Sequence, residues 1–181
     1  QVLHNVLTNA QDALAEVARA TGARLVTSKP DADAISSATG TVQEGLWDGD
    51  TVRVKDREER DLGRIRLLGV NAPELAHDDI SAQCWGKQAH TRLAELTPVG
   101  ATVRLVPDPT QADRDAHGRL LRYVLVDDVD VQHILLAEGQ ARAFWPKGPG
   151  LQAGSYLEAA QQAEHDQRGL WAACTNRKDT P

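Results

Sequence analysis

The chain has 181 residues, 41% of them hydrophobic and 25% charged, with 20 Lys+Arg against 26 Asp+Glu and a formal net charge of −6. That length suits one domain of common size with an appendage, and the apolar fraction supports a buried core rather than wholesale disorder. No apolar run approaches the length of a membrane-spanning helix, and the acidic balance argues against a protein that wraps nucleic acid by bulk charge alone.

Residues 1 to about 20 read as a helix, because Leu3, Val6, Leu7, Ala10, Leu14, Val17 and Ala18 recur at three- and four-residue intervals. Gly22 suits its C-cap, and Ser28-Lys29-Pro30-Asp31-Ala32-Asp33 reads as a linker. This segment, residues 1–38, carries no catalytic chemistry, and its apolar stripe suits packing on the main domain or on a partner chain. From about residue 39 the texture changes to strands. Thr39–Leu46 and Thr51–Lys55 flank Trp47-Asp48-Gly49-Asp50, and Asp-Gly between two such runs signals a hairpin. Leu62–Val70 reads as a third strand, ended by Asn71-Ala72-Pro73, where Pro cannot continue a ladder. Ser81–Leu96 is predicted helical, Thr102–Val106 and Leu120–Val126 are two more strands, and Val131–Glu138 and Ser155–Gln167 are two more helices. Five strands with a helix between the third and fourth have the order of an OB-type barrel. The expected class is therefore mainly β with helices (α+β): a five-stranded barrel with three helices over residues 39–174, an extra N-terminal helix, and a tail over 175–181.

Three counts add context. No Met occurs, even at position 1, so the expectation is a processed chain from which any signal peptide has gone. Arg outnumbers Lys by 15 to 5, a composition suited to forking carboxylates and phosphates. Cys84 and Cys174 allow one intramolecular pairing, or stand as two free thiols; the count does not decide.

The chemistry lies in charges that an apolar strand does not need. Alternation places Arg64, Arg66 and Leu68 on one face of the third strand, with Glu74 just beyond its Pro. Asp48 and Asp50 bracket the hairpin turn, and Asp113-Arg114-Asp115-Ala116-His117-Gly118-Arg119 opens another strand. Gathered at one barrel rim, these types suit phosphodiester hydrolysis. Arginines neutralise charge on phosphorus, a carboxylate handles the attacking water, and oxygen ligands hold a hard divalent ion. His77-Asp78-Asp79 reads as a solvated loop rather than a metal cluster, and no zinc spacing, phosphate loop or dinucleotide fingerprint occurs.

The segments Asp48-Gly49-Asp50-Thr51-Val52, Arg66-Leu67-Leu68-Gly69-Val70-Asn71-Ala72-Pro73-Glu74 and His117-Gly118-Arg119 together resemble the staphylococcal nuclease (thermonuclease) family, in its order and at similar spacing. The resemblance runs from about Thr39 to Cys174. It implies an OB-like five-stranded barrel and calcium-dependent hydrolysis of DNA and/or RNA, preferably single-stranded, leaving 3′-phosphate ends. By the same resemblance Arg66, Glu74 and Arg119 are catalytic, and Asp50, Asn71 and the carbonyl of Ala72 hold Ca2+. Asn71 stands where a second aspartate is usual, which removes one negative charge and implies a weaker or more permissive metal site. Ala116 and His117 replace a basic and an aromatic residue, altering a substrate contact. Trp145 falls near a base-stacking position, with packing on the barrel as its alternative role. Similar cysteines occur in secreted bacterial relatives, so a Cys84–Cys174 bridge and a secreted or cell-envelope location are implied. The competing reading is a catalytically silent barrel that binds nucleic acid or protein, favoured by Asn71 and the acidic balance.

Overall fold

The computed structural model describes residue 16 and residues 37–45, 48–76 and 81–174. Glu16 aside, the helix expected over residues 1–20 lies outside the described residues, as do the linker, Leu46-Trp47, His77-Asp78-Asp79 and the tail from 175. In chain order the elements are β1 (Ala38–Gln43), β2 (Thr51–Asp56), β3 (Asp61–Leu67), β4 (Val70–Asn71), α1 (Gly86–Leu96), β5 (Thr102–Val106), β6 (Leu120–Val126), β7 (Val129–Asp130), α2 (Val131–Ala137), β8 (Arg142–Ala143), α3 (Ala153–His165) and α4 (Leu170–Ala173).

The main sheet runs β3-β2-β1-β5-β6-β7, and a further pairing of β3 with β6 closes its first five strands into a barrel. All neighbours are antiparallel except that closing pair, which is parallel, with Ile65 opposite Leu120 and Arg66 opposite Leu121. This is the α+β, OB-like barrel expected from the sequence, with β7 as an added strand and β4–β8 as a separate two-stranded sheet. The reason lies in the strand pattern. Val42, Val52, Val54, Ile65, Leu67, Val103, Leu105 and Val124 turn inward, and α1 and α2 lay Ala89, Leu93, Leu96, Ile134 and Leu135 into the same core. Each such aliphatic side chain contributes about 1.5–3 kcal/mol when fully removed from water. The outward residues of β3, among them Arg64 and Arg66, are thereby free to do something else.

Several boundaries differ from the sequence reading. The third strand ends at Leu67, not Val70: Leu68 and Gly69 form a turn, Gly69 takes φ 76°, and the chain re-pairs as β4. Leu68 is consequently buried and does not share the outward face of Arg64 and Arg66. The helix predicted from Ser81 starts at Gly86, because Trp85 sits in the left-handed region at φ 74° and cannot be part of it. The last long helix is shifted two residues earlier than predicted, to Ala153–His165. The two-residue strands β4, β7 and β8 and the single turn α4 carry too few residues for a periodicity to show.

Cys84 and Cys174 are bonded to each other, 90 residues apart in sequence, which resolves the open pairing in favour of the bridge. It ties the start of α1 to the end of α4. Closing a loop of that length in the unfolded chain corresponds to about 4–5 kcal/mol in the chain-entropy account. Among the described residues no helix is long and apolar enough to cross a membrane.

Candidate active site

Three strand ends converge at one rim of the barrel. Thr51, first residue of β2, is registered opposite Arg66 near the end of β3, and the parallel pairing sets Arg66 opposite Leu121, two residues after Arg119. Topology alone thus brings Asp50, Arg66 and Arg119 together from positions up to 69 residues apart.

Asp50 is buried at the hairpin turn. Its Oδ2 accepts from the Ala72 amide at 2.9 Å and lies 3.0 Å from Nη2 of Arg66, and its Oδ1 accepts from the Thr51 hydroxyl at 3.1 Å. Burial raises its carboxyl above the ordinary range, against the opposing pull of Arg66 and these hydrogen bonds, and neighbouring Asp48 adds to the rise. Gly49 between them is obligatory: a Cβ there would stand 2.7 Å from that of Ala89 and 2.8 Å from that of Ala72. The turn is therefore pressed onto α1 and onto the segment after β4.

Arg66 is held from two sides. Its Nη1 donates to the carbonyls of Leu67 and Val70, both at 2.8 Å, which fixes the guanidinium plane. Its Nη2 reaches Oδ1 of Asn71 at 2.8 Å as well as Asp50. Arg119 is oriented by a residue that sequence reasoning passed over as a site member, Asp115, whose Oδ2 accepts from Arg119 Nε at 2.6 Å. The other oxygen of Asp115 accepts from the amides of His117 and Arg119, both at 2.9 Å, closing a turn that Gly118 completes at φ 78°. Burial works to raise the Asp115 carboxyl, but the side-chain and backbone hydrogen bonds from Arg119 hold it below its usual value. Nη1 of Arg119 reaches the Thr51 hydroxyl at 3.4 Å. The i, i+4 spacing of Asp115 and Arg119 around a Gly was the available signal.

Arg66, Arg119, His117 and Trp145 line one pocket of about 300 Å³, whose walls also include Leu68, Phe144 and Lys147. Trp145 is partly committed to packing. Its ring stacks on Tyr156 at 6.1 Å between centroids, and Cβ atoms at Gly69 or Gly150 would each come within 2.4 Å of it. Phe144 beside it is 47% exposed, an apolar face at the pocket that sequence reading did not single out.

Glu74 is not part of that lining; it follows Pro73 on the segment leaving β4. Its backbone is clamped. The Glu74 amide donates to Oε1 of Gln83 at 2.8 Å, and the Gln83 amide donates to the Glu74 carbonyl at 2.9 Å. The next three residues reinforce this hold. Cys84 carries the disulfide, the Trp85 indole donates to Gln140 at 2.8 Å, and Gly86 lets the Glu74 carbonyl come where a Cβ would lie 2.5 Å from it. Gln83 thus fixes the Glu74 backbone, a contact invisible to motif reading because its partner lies nine residues away across a turn.

Asp50, Asn71 and the Ala72 carbonyl are all oxygen donors, the kind a hard divalent cation takes. A buried carboxylate whose burial cost is incompletely offset fits such an ion. Charge is sparse, however: among the described residues no group of three or more His, Cys, Asp or Glu side chains forms a metal cluster.

A closed barrel that gathers two arginines, a buried carboxylate and an amide at one rim defines an OB-like domain with an anion-directed site. The chain belongs to the family described as Staphylococcal nuclease homologue, which it matches over residues 64–173. It is 34% identical over 127 residues to Endonuclease YncB of Bacillus subtilis (strain 168), covering 69% of this chain and 58% of that protein. To the Thermonuclease of Staphylococcus intermedius it is 34% identical over 126 residues, covering 68% of this chain and 71% of that one. To the SPbeta prophage-derived endonuclease YokF of Bacillus subtilis (strain 168) it is 32% identical over 127 residues, 69% of this chain and 41% of that protein. The chain thus spans roughly two fifths to three fifths of the two Bacillus proteins.

Proposed function

We propose that the chain is a metal-dependent nuclease that hydrolyses phosphodiester bonds of DNA and/or RNA, preferring single strands, with Ca2+ as its cation and 3′-phosphate ends as product. The observation that carries this is the lining of one rim pocket by Arg66 and Arg119, with Arg66 hydrogen-bonded to Asn71 and paired with Asp50. Family membership supports the same reading.

In this mechanism Arg66 and Arg119 receive the scissile phosphate. Both N–H groups of its Nη1 are spent on backbone carbonyls and its Nη2 faces Asn71 and Asp50, so Nε is the Arg66 donor left for a phosphoryl oxygen, and its direction is set before substrate arrives. Such donors act where charge grows on the phosphoryl oxygens, in a site that needs no reorganisation. Glu74 takes a proton from the attacking water, whose oxygen adds to phosphorus as the bond to the 5′-oxygen breaks. The departing 5′-oxygen takes a proton from solvent water, with Arg119 beside it to stabilise the charge until it does. Asp50, Asn71 and the Ala72 carbonyl would hold the cation, which when bound polarises a phosphoryl oxygen as a Lewis acid. Gln83 and Asp115 position Glu74 and Arg119. His117 and Trp145 contact the substrate at the same pocket. A secreted or cell-envelope location belongs to the proposal, supported by the disulfide, since such bridges persist in oxidising compartments.

The test is cleavage of a fluorescent single-stranded oligonucleotide. Arg66→Ala and Arg119→Ala are each expected to lower kcat by about 10²–10³-fold. Arg66→Ala also strands Asp50, so the half-buried Arg119 is the cleaner probe. Parent-like turnover by Arg119→Ala contradicts the assignment.

A further inference from the structure

A second concavity, of about 360 Å³, adjoins the first and shares Arg114, His117 and Arg119 with it. The two differ in character. The rim pocket has Leu68, Phe144 and Trp145 in its walls, whereas the second is lined by Arg64, Arg114 and Arg119 with Asp61 and the His117-Gly118 turn. Asp61 is bonded to Arg53, Arg119 to Asp115, and Arg114 stands 3.9 Å from Asp113. In a chain of net charge −6, three arginines in the wall of one concavity are a local concentration of cationic side chains.

Its geometry is also specific. Arg64 and Arg66 occupy alternate positions of β3 on the side away from the buried Ile65 and Leu67. Residues two apart on a strand face stand about 6.6 Å apart, comparable to the repeat of successive phosphates along an extended single strand. Arg64 is moreover registered directly opposite Arg53 on β2. Arg53 in turn pairs with Asp61, which lines the same concavity.

We propose that this concavity binds the phosphate next to the scissile one on a single-stranded polynucleotide, with Arg64 as its principal contact and Arg114 at its other wall. The inference rests on the nuclease reading above. It deepens that reading by giving the substrate a path: base in the apolar rim pocket, scissile phosphate at Arg66 and Arg119, following phosphate at Arg64. Phosphate contacts of this kind position a strand without reading its sequence.

The experiment compares parent, Arg64→Gln and Arg64→Lys on two substrates, a dinucleotide with one phosphodiester and a fluorescent 12-nucleotide single strand, over a range of salt concentrations. Arg64→Gln is expected to raise KM for the longer strand about fivefold or more. It should also reduce the slope of log affinity against log salt by about 0.7. KM for the dinucleotide should change by less than about twofold, and Arg64→Lys should recover most of the loss. An equal change on both substrates, or an unchanged salt slope, overturns the proposal. If the parent cleaves neither substrate, the nuclease reading fails instead. Fluorescence anisotropy of the same 12-nucleotide strand then decides the concavity separately, since Arg64→Gln must still weaken binding.

Discussion

Asp50 and Asp130 are buried almost equally, at 3% and 4% exposure, and burial raises both carboxyls above the ordinary range. Their partners separate them. Asp130 caps α2 by accepting from the His133 amide at 3.1 Å, and the Tyr156 hydroxyl lies 2.9 Å from both of its oxygens. Tyr156 is itself fully buried, and among the described residues Asp130 makes no ion pair. Asp50 faces instead a guanidinium that also lines a pocket. Burial and a raised pKa therefore do not by themselves mark a functional acid. The charge of the partner, and the pocket that the partner lines, do. Asp130 ties a helix start to the core, and Asp50 pairs with an arginine of the rim pocket.

Substitution at these two positions is the strongest way to break the comparison. Asp50→Asn keeps an oxygen for the Ala72 amide but removes the charge facing the buried Arg66 guanidinium, so stability should fall by about 1–3 kcal/mol, while kcat falls by about 10²-fold or more. Asp130→Ala should lose stability alone. Losing the cap costs about 1 kcal/mol and stranding the Tyr156 hydroxyl about 1–3 kcal/mol more, with activity per folded molecule retained. Denaturant titration and steady-state kinetics on both variants decide it; activity per folded molecule lost in Asp130→Ala, or retained in Asp50→Asn, reverses the assignment.

A smaller effect is expected at Gln83. Gln83→Ala should lower kcat about tenfold through misplacement of Glu74 and leave KM within about twofold, and Gln83→Glu, which keeps the accepting oxygen, should recover most of the rate. If KM alone moves, Gln83 acts on substrate rather than on Glu74.

The smallest effect concerns pH. Asp130 has a folded pKa of about 6 against an ordinary 3.8, so the folded chain keeps a proton that the unfolded chain has lost. Its contribution to stability is thus full below about pH 4 and is lost as pH rises through about 6. Asp108 and Asp115, whose carboxyls are held low, act in the opposite sense. The stability of parent minus Asp130→Asn should accordingly fall between pH 4 and 6, and a flat difference would contradict the account.

Much of this was legible in the sequence because β1 and the end of β3 alternate between buried and less buried residues. Arg66 sits between Ile65 and Leu67, both buried, and that pattern alone put it on the outer face. The three motif segments led to Asp50, Arg66 and Arg119, and the parallel β3–β6 pairing brings them to one rim. What could not be read were contacts between distant or locally irregular residues. The Trp85–Gln140 bond spans 55 residues, and the start of α1 is fixed by how closely the Glu74 carbonyl approaches Gly86, not by helix propensity. Leu68 was misassigned for a related reason: a turn at Gly69 ended the alternation that had been extrapolated through it.

The most direct measurement of the central claim is cleavage of a single-stranded oligonucleotide by parent, Asp50→Asn and Asp130→Asn, before and after EDTA and after Ca2+ is restored. The account predicts that parent and Asp130→Asn cleave, stop in EDTA and recover with Ca2+, while Asp50→Asn stays at least about 10²-fold slower throughout. Cleavage undiminished in EDTA, or parent-like turnover by Asp50→Asn, would contradict it.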